Sequence, residues 1–323
     1  MKDLVSFIRQ KAGTNPRRIV LPETEDSRTL EAINYILAKK IARVIAIGRD
    51  SVRRKIDAPN MELLEVIDPE KSNDTENLAN TYYDLRKHKG VTLEEAREKV
   101  RKERVVFGAL LVRLGMADGL VAGASHTTPN VVRTVIHCIP IDKASGVVSS
   151  AFVMIVPKKG AFIFADCGVN PDPDSNQLAG IAIEAAKLFR QLIGSAPRVA
   201  LLSYSTKGSA AGPRIDKVVE ALKKVKERSP DLIIDGELQA DSAIVPEVAR
   251  IKCPASEVAG RANTIIFPSL ESGNISYKLV QRLANARAIG PLLLGTTKPA
   301  SDLSRGCIPE DIVDAVAITS LRV

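Results

Sequence analysis

Residues 18–48, RIVLPETEDSRTLEAINYILAKKIARVIAIG, hold the first pattern that indicates a fold class. An aliphatic run at 18–22 is followed by a helical pattern over 27–40 and by a second apolar run at 43–48. Strand–helix–strand alternation of this kind predicts parallel strands joined by crossover helices. The sequence therefore predicts a layered α/β fold.

Further elements extend this pattern along the chain. LEVID (64–68) and GLVAGA (119–124) are strand candidates, and Thr92-Leu93-Glu94-Glu95 predicts a capping box at a helix start. Near residue 145 the pattern changes, because two β-rich runs flank Pro157-Lys158-Lys159-Gly160 and predict an antiparallel hairpin. Alternation then resumes, with helices expected at 176–192 and 216–228 and strands at 198–205, 231–238, 263–268 and 290–295.

This order of elements predicts two α/β domains. The first comprises residues 1–143 together with residues 290–323, and the second comprises residues 144–289. A chain of 323 residues is long enough for two domains of ordinary size, and its hydrophobic content of 45% is sufficient for a core.

Composition limits the possible partners. The formal charge of +8 favours an acidic partner, but aromatic residues make up 4% of the chain and Trp is absent, so no stacking platform for nucleic acid is expected. No apolar run reaches the roughly 18 residues that span a bilayer, so we expect a soluble, cytoplasmic protein without a membrane partner. A small anionic substrate fits these limits best.

The cysteines and histidines predict neither disulfides nor a metal site. The four cysteines are scattered, without a C-x-x-C pair, and are expected to be free thiols in a reducing compartment: Cys138, Cys167, Cys253 and Cys307. No cluster of His or carboxylate residues has the spacing of metal ligands, so no metal is expected.

Polar loops follow several of the predicted strands, at 122–130, 203–213 and 267–274 and after 295. Ligands of open α/β sheets collect at the carboxyl ends of strands, and hydroxyl groups, glycines and helix N-termini together make phosphate cradles. The sequence therefore predicts a phosphorylated ligand. The candidate binding residues in these loops are Ser125, Thr127, Ser205, Lys207 and Gly208.

The last of these loops leads into a final helix, in SDLSRGCIPEDIVDAVAIT (301–319). Arg305 offers a guanidinium fork suited to phosphate, and a helix that begins at Pro309 places Asp311 in its first turn. Arg86 and Arg133 are further candidate anion contacts. His126 is either a base or a histidine with a structural role in a turn, since no nucleophile motif accompanies it.

A set of long motifs, in order along the chain, resembles the phosphate acetyl/butyryltransferase family, and its phosphate acetyltransferase branch in particular. The motifs are LRKHKG, AGASHTTPNVVR, VSSAFVM, FADCGVNPDPDSNQLAGIAI, DGELQADSAI and KPASDLSRGCIPEDIVDAVAIT. The resemblance covers nearly the whole chain from about residue 17. It implies two three-layer α/β domains with a cleft between them, related in fold to the isocitrate and isopropylmalate dehydrogenases.

The resemblance also implies a reaction and roles for its residues. The reaction is acetyl-CoA plus phosphate giving acetyl phosphate plus CoA, by direct thiolate attack in a ternary complex, in a homodimer without a metal or a permanently bound cofactor. By motif match, Arg305 binds phosphate, Ser304 is its neighbouring serine and Asp311 is the proposed base for the CoA thiol. Arg86 and Arg133 match the other functional arginines of the family.

Three other functions stay open at this point. One is phosphate butyryltransferase activity on a longer acyl-CoA, and another is a dehydrogenase of related fold, although the first strand-to-helix turn contains no glycine for a G-x-G-x-x-G motif. The third is a basic binding domain without enzymatic activity. It fits the net charge but does not explain the hydroxyl-rich loops.

Overall fold

The computed structural model describes residues 2–323, with side chains from Leu4 onward, and Met1 lies outside the described residues. The chain divides into two compact units, one made of residues 2–140 and 296–323 and the other of residues 141–295. The α/β character predicted from residues 18–48 is present in both units.

The first unit has a parallel sheet whose strands lie in the order β3 (Leu64–Ile67), β2 (Arg43–Ile47), β1 (Arg18–Leu21), β4 (Gly119–Ala122) and β11 (Ala300–Asp302). All four residues of the β4 strand are buried, and because successive residues face opposite sides, both faces of the sheet are covered there. The elements of residues 2–140 are α1 (Lys2–Gly13), β1 (Arg18–Leu21), α2 (Ser27–Ala38), β2 (Arg43–Ile47), β3 (Leu64–Ile67), α3 (Thr75–Arg86), α4 (Leu93–Lys102), α5 (Arg104–Arg113), β4 (Gly119–Ala122) and α6 (Thr128–Cys138).

The second unit has a mixed sheet whose strands lie in the order β10 (Arg287–Leu294), β5 (Ser149–Val156), β6 (Gly160–Ala165), β9 (Thr264–Ile266), β7 (Val199–Leu202) and β8 (Ile234–Leu238). The hairpin predicted around residues 157–160 is confirmed, since β5 and β6 pair antiparallel. The elements of residues 141–295 are β5 (Ser149–Val156), β6 (Gly160–Ala165), α7 (Ser175–Ile193), β7 (Val199–Leu202), α8 (Pro213–Arg228), β8 (Ile234–Leu238), α9 (Ala240–Ile244), α10 (Pro246–Lys252), β9 (Thr264–Ile266), α11 (Leu270–Leu283) and β10 (Arg287–Leu294).

The chain returns to the first unit after Gly295 and adds β11 (Ala300–Asp302) and α12 (Pro309–Leu321). The strand expected at 290–295 lies in the second unit, because β10 pairs antiparallel with β5, from Arg287 opposite Ile155 to Leu294 opposite Ser149. The strand that returns to the first sheet is the three-residue β11, which pairs with β4 and which the sequence did not predict.

Local signals in the sequence explain where the helices begin. Thr92 caps α4 with the predicted capping box, because its hydroxyl accepts the Glu95 N–H while the Glu95 carboxylate accepts the Thr92 N–H. Pro309 is the first residue of α12, so Asp311 lies in the first turn as predicted. No helix within residues 2–323 is both long enough and apolar enough to cross a membrane.

A buried ion pair fixes α12, which carries Asp311, against α1. Arg9 Nε and Nη2 lie 2.7 and 2.6 Å from Asp314 Oδ1, and the Asp314 side chain is 1% exposed. Replacing Arg9 with Met should lower the free energy of unfolding by about 3 kcal/mol, because the buried Asp314 carboxylate loses the guanidinium that Arg9 supplies. Thermal or urea unfolding measures this loss.

The control is Arg97→Met, which removes an exposed pair with Glu76 and should change the unfolding temperature little. Equal destabilisation by the two substitutions would show that the Arg9–Asp314 pair contributes no more to the free energy of unfolding than an exposed pair does.

Candidate active site

The buried carboxylate of Glu23, just after β1, organises the loop after the neighbouring strand β4. Its Oε2 accepts the N–H groups of Gly123 and Ala124, both at 2.8 Å, and its Oε1 accepts those of Ser125 and His126 at 2.9 and 3.0 Å. These four N–H groups are therefore not available to an anion. The expected phosphate cradle cannot be built from these backbone groups, and the loop exposes side chains such as that of Ser125 instead.

Glu23 also fixes His126. The imidazole Nδ1 lies 2.7 Å from Glu23 Oε1, and the His126 side chain is 42% exposed while that of Glu23 is 3% exposed. Burial raises the pKa of Glu23, but hydrogen bonds from His126 and from the loop N–H groups outweigh it and leave the pKa below its ordinary value. The same contact raises the pKa of His126. The pair therefore favours an imidazolium beside a carboxylate.

A cavity of about 420 Å³ between α4, α5 and α6 collects basic side chains, including Lys99, His126, Arg133 and His137. Burial lowers the pKa of His137, and the positive charges of Arg86, Arg133 and Lys99 lower it further. Neither Arg86 nor Arg133 forms an ion pair with a residue in the described part of the chain. Of the two predicted anion contacts, Arg133 thus lines this cavity, and the charge of Arg86 reaches His137 in its wall.

Arg28, at the start of α2, joins the loop after β4 to the segment after β11. Its Nη1 donates to the carbonyl oxygens of Arg305 and Cys307, and its Nη2 donates to that of Ala124, all at 2.8 Å. Asp26, the N-cap of α2, holds the same guanidinium at 2.6 Å, and this contact lowers the pKa of Asp26. The predicted residues Ser125, Thr127, Ser304 and Arg305 are therefore carried by two neighbouring segments.

The segment from Ser304 to Asp311 exposes Ser304 and Arg305 and buries Cys307. Ser304 is exposed and its Oγ accepts the Gly306 N–H at 3.2 Å, and Arg305 is exposed and forms no ion pair with the described residues. The half-buried Asp311 accepts the Ile308 N–H at 3.0 Å, so its carboxylate caps its own helix. A free guanidinium near a helix N-terminus is a suitable anion site.

The remaining predicted residues lie in the second unit, in the loop between β7 and α8. Ser205 is fully buried and donates to Glu237 Oε1 at 2.9 Å, and the Gly208 N–H donates to the same oxygen at 2.7 Å. Lys207 Nζ is paired with Asp235 and also donates to the Gly236 carbonyl at 2.9 Å. All three groups have internal partners, so their contact with a substrate stays a prediction.

The described residues show neither a cluster of metal-ligand type nor an activated thiol. Residues 2–323 contain no group of three or more His, Cys, Asp or Glu side chains that could hold a metal ion. The four cysteines are buried, and none of them forms a disulfide. Burial raises the pKa of Cys138 to about 12 and that of Cys307 to about 11, so neither is an activated nucleophile.

Sequence analysis missed five polar residues at or near strand ends, namely Glu23, Arg28, Asp166, Glu237 and Asp302. Four are carboxylates in or next to apolar runs, where a buried charge needs partners, and this was the available signal. The fifth, Arg28, sits in the first turn of a helix, where the dipole disfavours a cation, so its position indicated a specific partner.

The Glu23–His126 pair predicts how two histidines titrate. In an NMR titration, His126 should have a midpoint above the ordinary value of 6.5 and His137 a midpoint below it. Glu23→Gln should lower the His126 midpoint and leave that of His137 in place, since only the first loses its carboxylate. The His126→Asn variant assigns the resonances.

The same contact has a consequence for stability. Because the folded pKa of His126 is raised, the pair stabilises the fold below pH 6.5 and this contribution is lost as the pH rises through the folded value. His126→Asn should therefore cost more unfolding free energy at pH 6 than at pH 9. A midpoint for His126 at or below 6.5 would contradict both expectations.

Comparison with known proteins agrees with this fold and indicates a family. The family model described as phosphate acetyl/butaryl transferase matches residues 3–320. A phosphate acetyltransferase of Thermoanaerobacterium thermosaccharolyticum is 46% identical, with 99% of each chain covered. The structure of a phosphotransacetylase from Streptococcus pyogenes is 38% identical with a TM-score of 0.92, covering 100% of this chain and 98% of that chain.

A more distant likeness bears on the fold alone. A 4-hydroxythreonine-4-phosphate dehydrogenase from Klebsiella pneumoniae is 12% identical, with a TM-score of 0.52 over 95% of this chain and 98% of that one. The predicted fold class, related to dehydrogenases, is confirmed. Since the family model spans nearly the whole chain and full-length relatives exceed 40% identity, the resemblance seen in the motifs is also confirmed. The chain is an acyltransferase, and it belongs to the phosphate acetyl/butaryl transferase family.

Proposed function

We propose that the protein catalyses the reversible transfer of an acetyl group between CoA and inorganic phosphate. The observation that carries this proposal is the exposed guanidinium of Arg305, which has no carboxylate partner in the described chain and lies on a segment tied by Arg28 to the loop after β4. The names of full-length relatives, which are phosphate acetyltransferases, support the same activity.

The proposed chemistry is a direct transfer in a ternary complex. The CoA thiolate attacks the carbonyl carbon of acetyl phosphate, a C–S bond forms, and the bond from that carbon to the phosphate oxygen breaks. Negative charge grows on the carbonyl oxygen and on the departing phosphate. Arg305 and the N-terminus of α12 stabilise the phosphate, while Ser304 donates to the developing oxyanion. Acetyl-CoA formation and its reverse use the same groups.

Asp311 is the proposed acceptor of the thiol proton. Transfer from a thiol to a carboxylate in water is uphill by about 6 kcal/mol, so an aspartate in water is a poor base for this step. The structure adds that the Ile308 N–H and the start of α12 stabilise the Asp311 carboxylate. We therefore propose that Asp311 acts as a base only when bound CoA has excluded water, with Arg305 engaged by phosphate.

The basic cavity is the proposed site for phosphate groups of CoA. Arg86 and Arg133 act together on His137, and neither has a carboxylate partner among the described residues. Cations that are not neutralised internally attract a polyanionic substrate and hold it through charge-assisted contacts. Ser125 and Thr127 lie on the adjoining loop, and the proposal includes them and the second-unit residues Ser205, Lys207 and Gly208 as substrate contacts.

The proposal also covers assembly and location. We propose a homodimer in the cytoplasm, without a metal or a permanently bound cofactor, as the family resemblance implies. Light scattering of the purified protein should then give twice the 34.8 kDa mass of the chain.

One assay separates this function from the alternatives. Incubation of the purified protein with acetyl phosphate and CoA, followed at the absorbance of the thioester, should show acetyl-CoA formation without any nucleotide or metal. A strong preference for butyryl phosphate would instead assign the butyryltransferase activity. Absence of thioester with either substrate would remove the proposed function, and the dehydrogenase and binding-domain alternatives would return.

Arg305→Lys tests the phosphate contact. A lysine keeps the charge but cannot reproduce the planar fork of a guanidinium, so kcat should fall by about 10² or more. Steady-state kinetics with varied acetyl phosphate measure this. The matched control is Arg97→Lys, a surface arginine paired with Glu76, which should retain normal rates. Near-normal turnover of Arg305→Lys would place the phosphate site elsewhere.

Asp311→Asn tests the base. The amide keeps the shape but accepts no proton, so kcat should fall by about 10² to 10⁴ with the KM for CoA nearly unchanged, and high pH should rescue part of the rate by ionising CoA itself. The control is Glu310→Gln, the exposed neighbour in the same helical turn. A variant of Asp311 with normal turnover and lower heat stability would leave this residue as a helix cap.

A further inference from the structure

Asp302, the last residue of β11, has a fully buried carboxyl group without a partner. Its exposure is 0%, and neither carboxylate oxygen forms a well-aligned hydrogen bond with the described residues. Asp302 lies opposite Ala122 in the sheet, and the following Leu303 N–H donates to the Ala122 carbonyl at 2.7 Å. The orphan carboxyl group thus lies where the loop after β4 meets the segment that leads to Ser304 and Arg305.

Gly123 makes room for this carboxyl group. Its φ is +114°, and a Cβ at this position would lie 2.4 Å from Asp302 Oδ1 and 2.5 Å from the Leu303 nitrogen. The carboxyl group therefore packs directly on the Gly123 backbone, whose N–H is bonded to Glu23. Gly123 thus lies between the Glu23 carboxylate, which accepts several N–H groups, and the Asp302 carboxyl group, whose oxygens accept none with good geometry.

The groups that face Asp302 favour its neutral form. Glu23 contributes a negative charge from the end of β1, and α6 contributes only the Thr128 hydroxyl. On α12, Asp311 is bonded to the Ile308 N–H and Asp314 to Arg9, while His126 is held by Glu23. Burial raises the pKa of Asp302 to about 7 and Glu23 adds to the effect, against a smaller opposing influence of Thr128 and the Leu303 N–H.

We propose that Asp302 is a positioning residue that acts in its protonated form. The neutral acid packs on Gly123 and keeps the Ser304–Arg305 segment aligned with the loop at 123–126, and ionisation of the acid disrupts that alignment. The inference deepens the proposed acetyl transfer and rests on it for its kinetic consequence. Asp302 touches no substrate in this scheme, since it acts through Ser304 and Arg305.

The physical consequence is a loss of rate as Asp302 ionises. Its anion would be fully buried beside the anionic Glu23, with only the Thr128 hydroxyl and the Leu303 N–H to oppose this effect, and such a charge is costly. The fold can relieve this cost by admitting water or by moving residues 303–305 away from Gly123. Either change displaces the groups proposed to hold phosphate, so catalysis should decline on the alkaline side.

The experiment compares pH profiles of kcat/KM for acetyl-CoA plus phosphate in wild type and Asp302→Asn. Asparagine is close in shape and cannot ionise, so the variant should stay within about threefold of wild type at pH 6, and its alkaline limb should move up by roughly one pH unit or more. Asp84→Asn, an exposed surface change, should keep the wild-type profile. Substrate ionisation is common to all three proteins and cancels in the comparison.

Two outcomes would overturn the proposal. An alkaline limb unchanged in Asp302→Asn assigns the titration to another group, and a uniform loss of about 10² or more at every pH shows that a carboxylate is required. Should Asp302→Asn fold poorly, Thr128→Val tests the same idea. Removal of the hydroxyl that favours the anion should raise the alkaline limb, and an unmoved limb contradicts the proposal.

A stability measurement separates this inference from the proposed function. The folded pKa of Asp302, about 7, exceeds the ordinary aspartate value. Between these two values Asp302 ionises in the unfolded chain but stays protonated in the folded one, so the stability of the wild type falls progressively as the pH rises toward 7. The unfolding temperature of Asp302→Asn should therefore exceed that of wild type at pH 8, with the difference shrinking toward pH 5. This readout holds even if no acetyl transfer is found, and a pH-independent difference would refute the ionisation of Asp302.

Discussion

The candidate site depends on the contact between the buried Glu23 carboxylate and the N–H groups of residues 123–126. Because β1 and β4 are neighbours in a parallel sheet, an acceptor that ends one strand lies beside donors that follow the other. Buried N–H groups are costly when unpaired, and a charged acceptor with two oxygens satisfies several of them together. The backbone of this loop therefore turns inward, and its side chains supply the surface that a substrate can reach.

The second unit shapes its loops in the same way. Asp166, at the end of β6, accepts the N–H groups of Gly168 and Asn170, both at 2.9 Å, and the Ser150 hydroxyl at 2.5 Å. Glu237 on β8 accepts Ser205 and Gly208. A buried acid near a strand end that gathers N–H groups from a nearby loop is thus a repeated device of this chain. It gives irregular segments a defined conformation without lengthening the sheet.

Sequence patterns predict more of the fold than of the candidate site. The strands and helices around 18–48, the hairpin at 157–160 and the start of α12 follow from local periodicity and capping, which neighbouring residues determine. The partner of Glu23 lies about a hundred positions away, and no local pattern encodes such a pairing. The same limit applies to β10 and β11: GPLLLG looks like any buried strand, and only its antiparallel pairing with β5 fixes the unit that holds it.

The burial of the four cysteines affects how the protein would react with its proposed substrate, CoA. CoA is itself a thiol, and its oxidised forms exchange with accessible protein thiolates to give mixed disulfides. Cys138, Cys167, Cys253 and Cys307 are all buried, and burial raises the pKa of each. Exchange requires a thiolate that can meet its partner, and this chain presents none among its described residues. In the proposed reaction, which brings a thiol substrate to the protein at every turnover, this burial disfavours mixed disulfides between the protein and CoA.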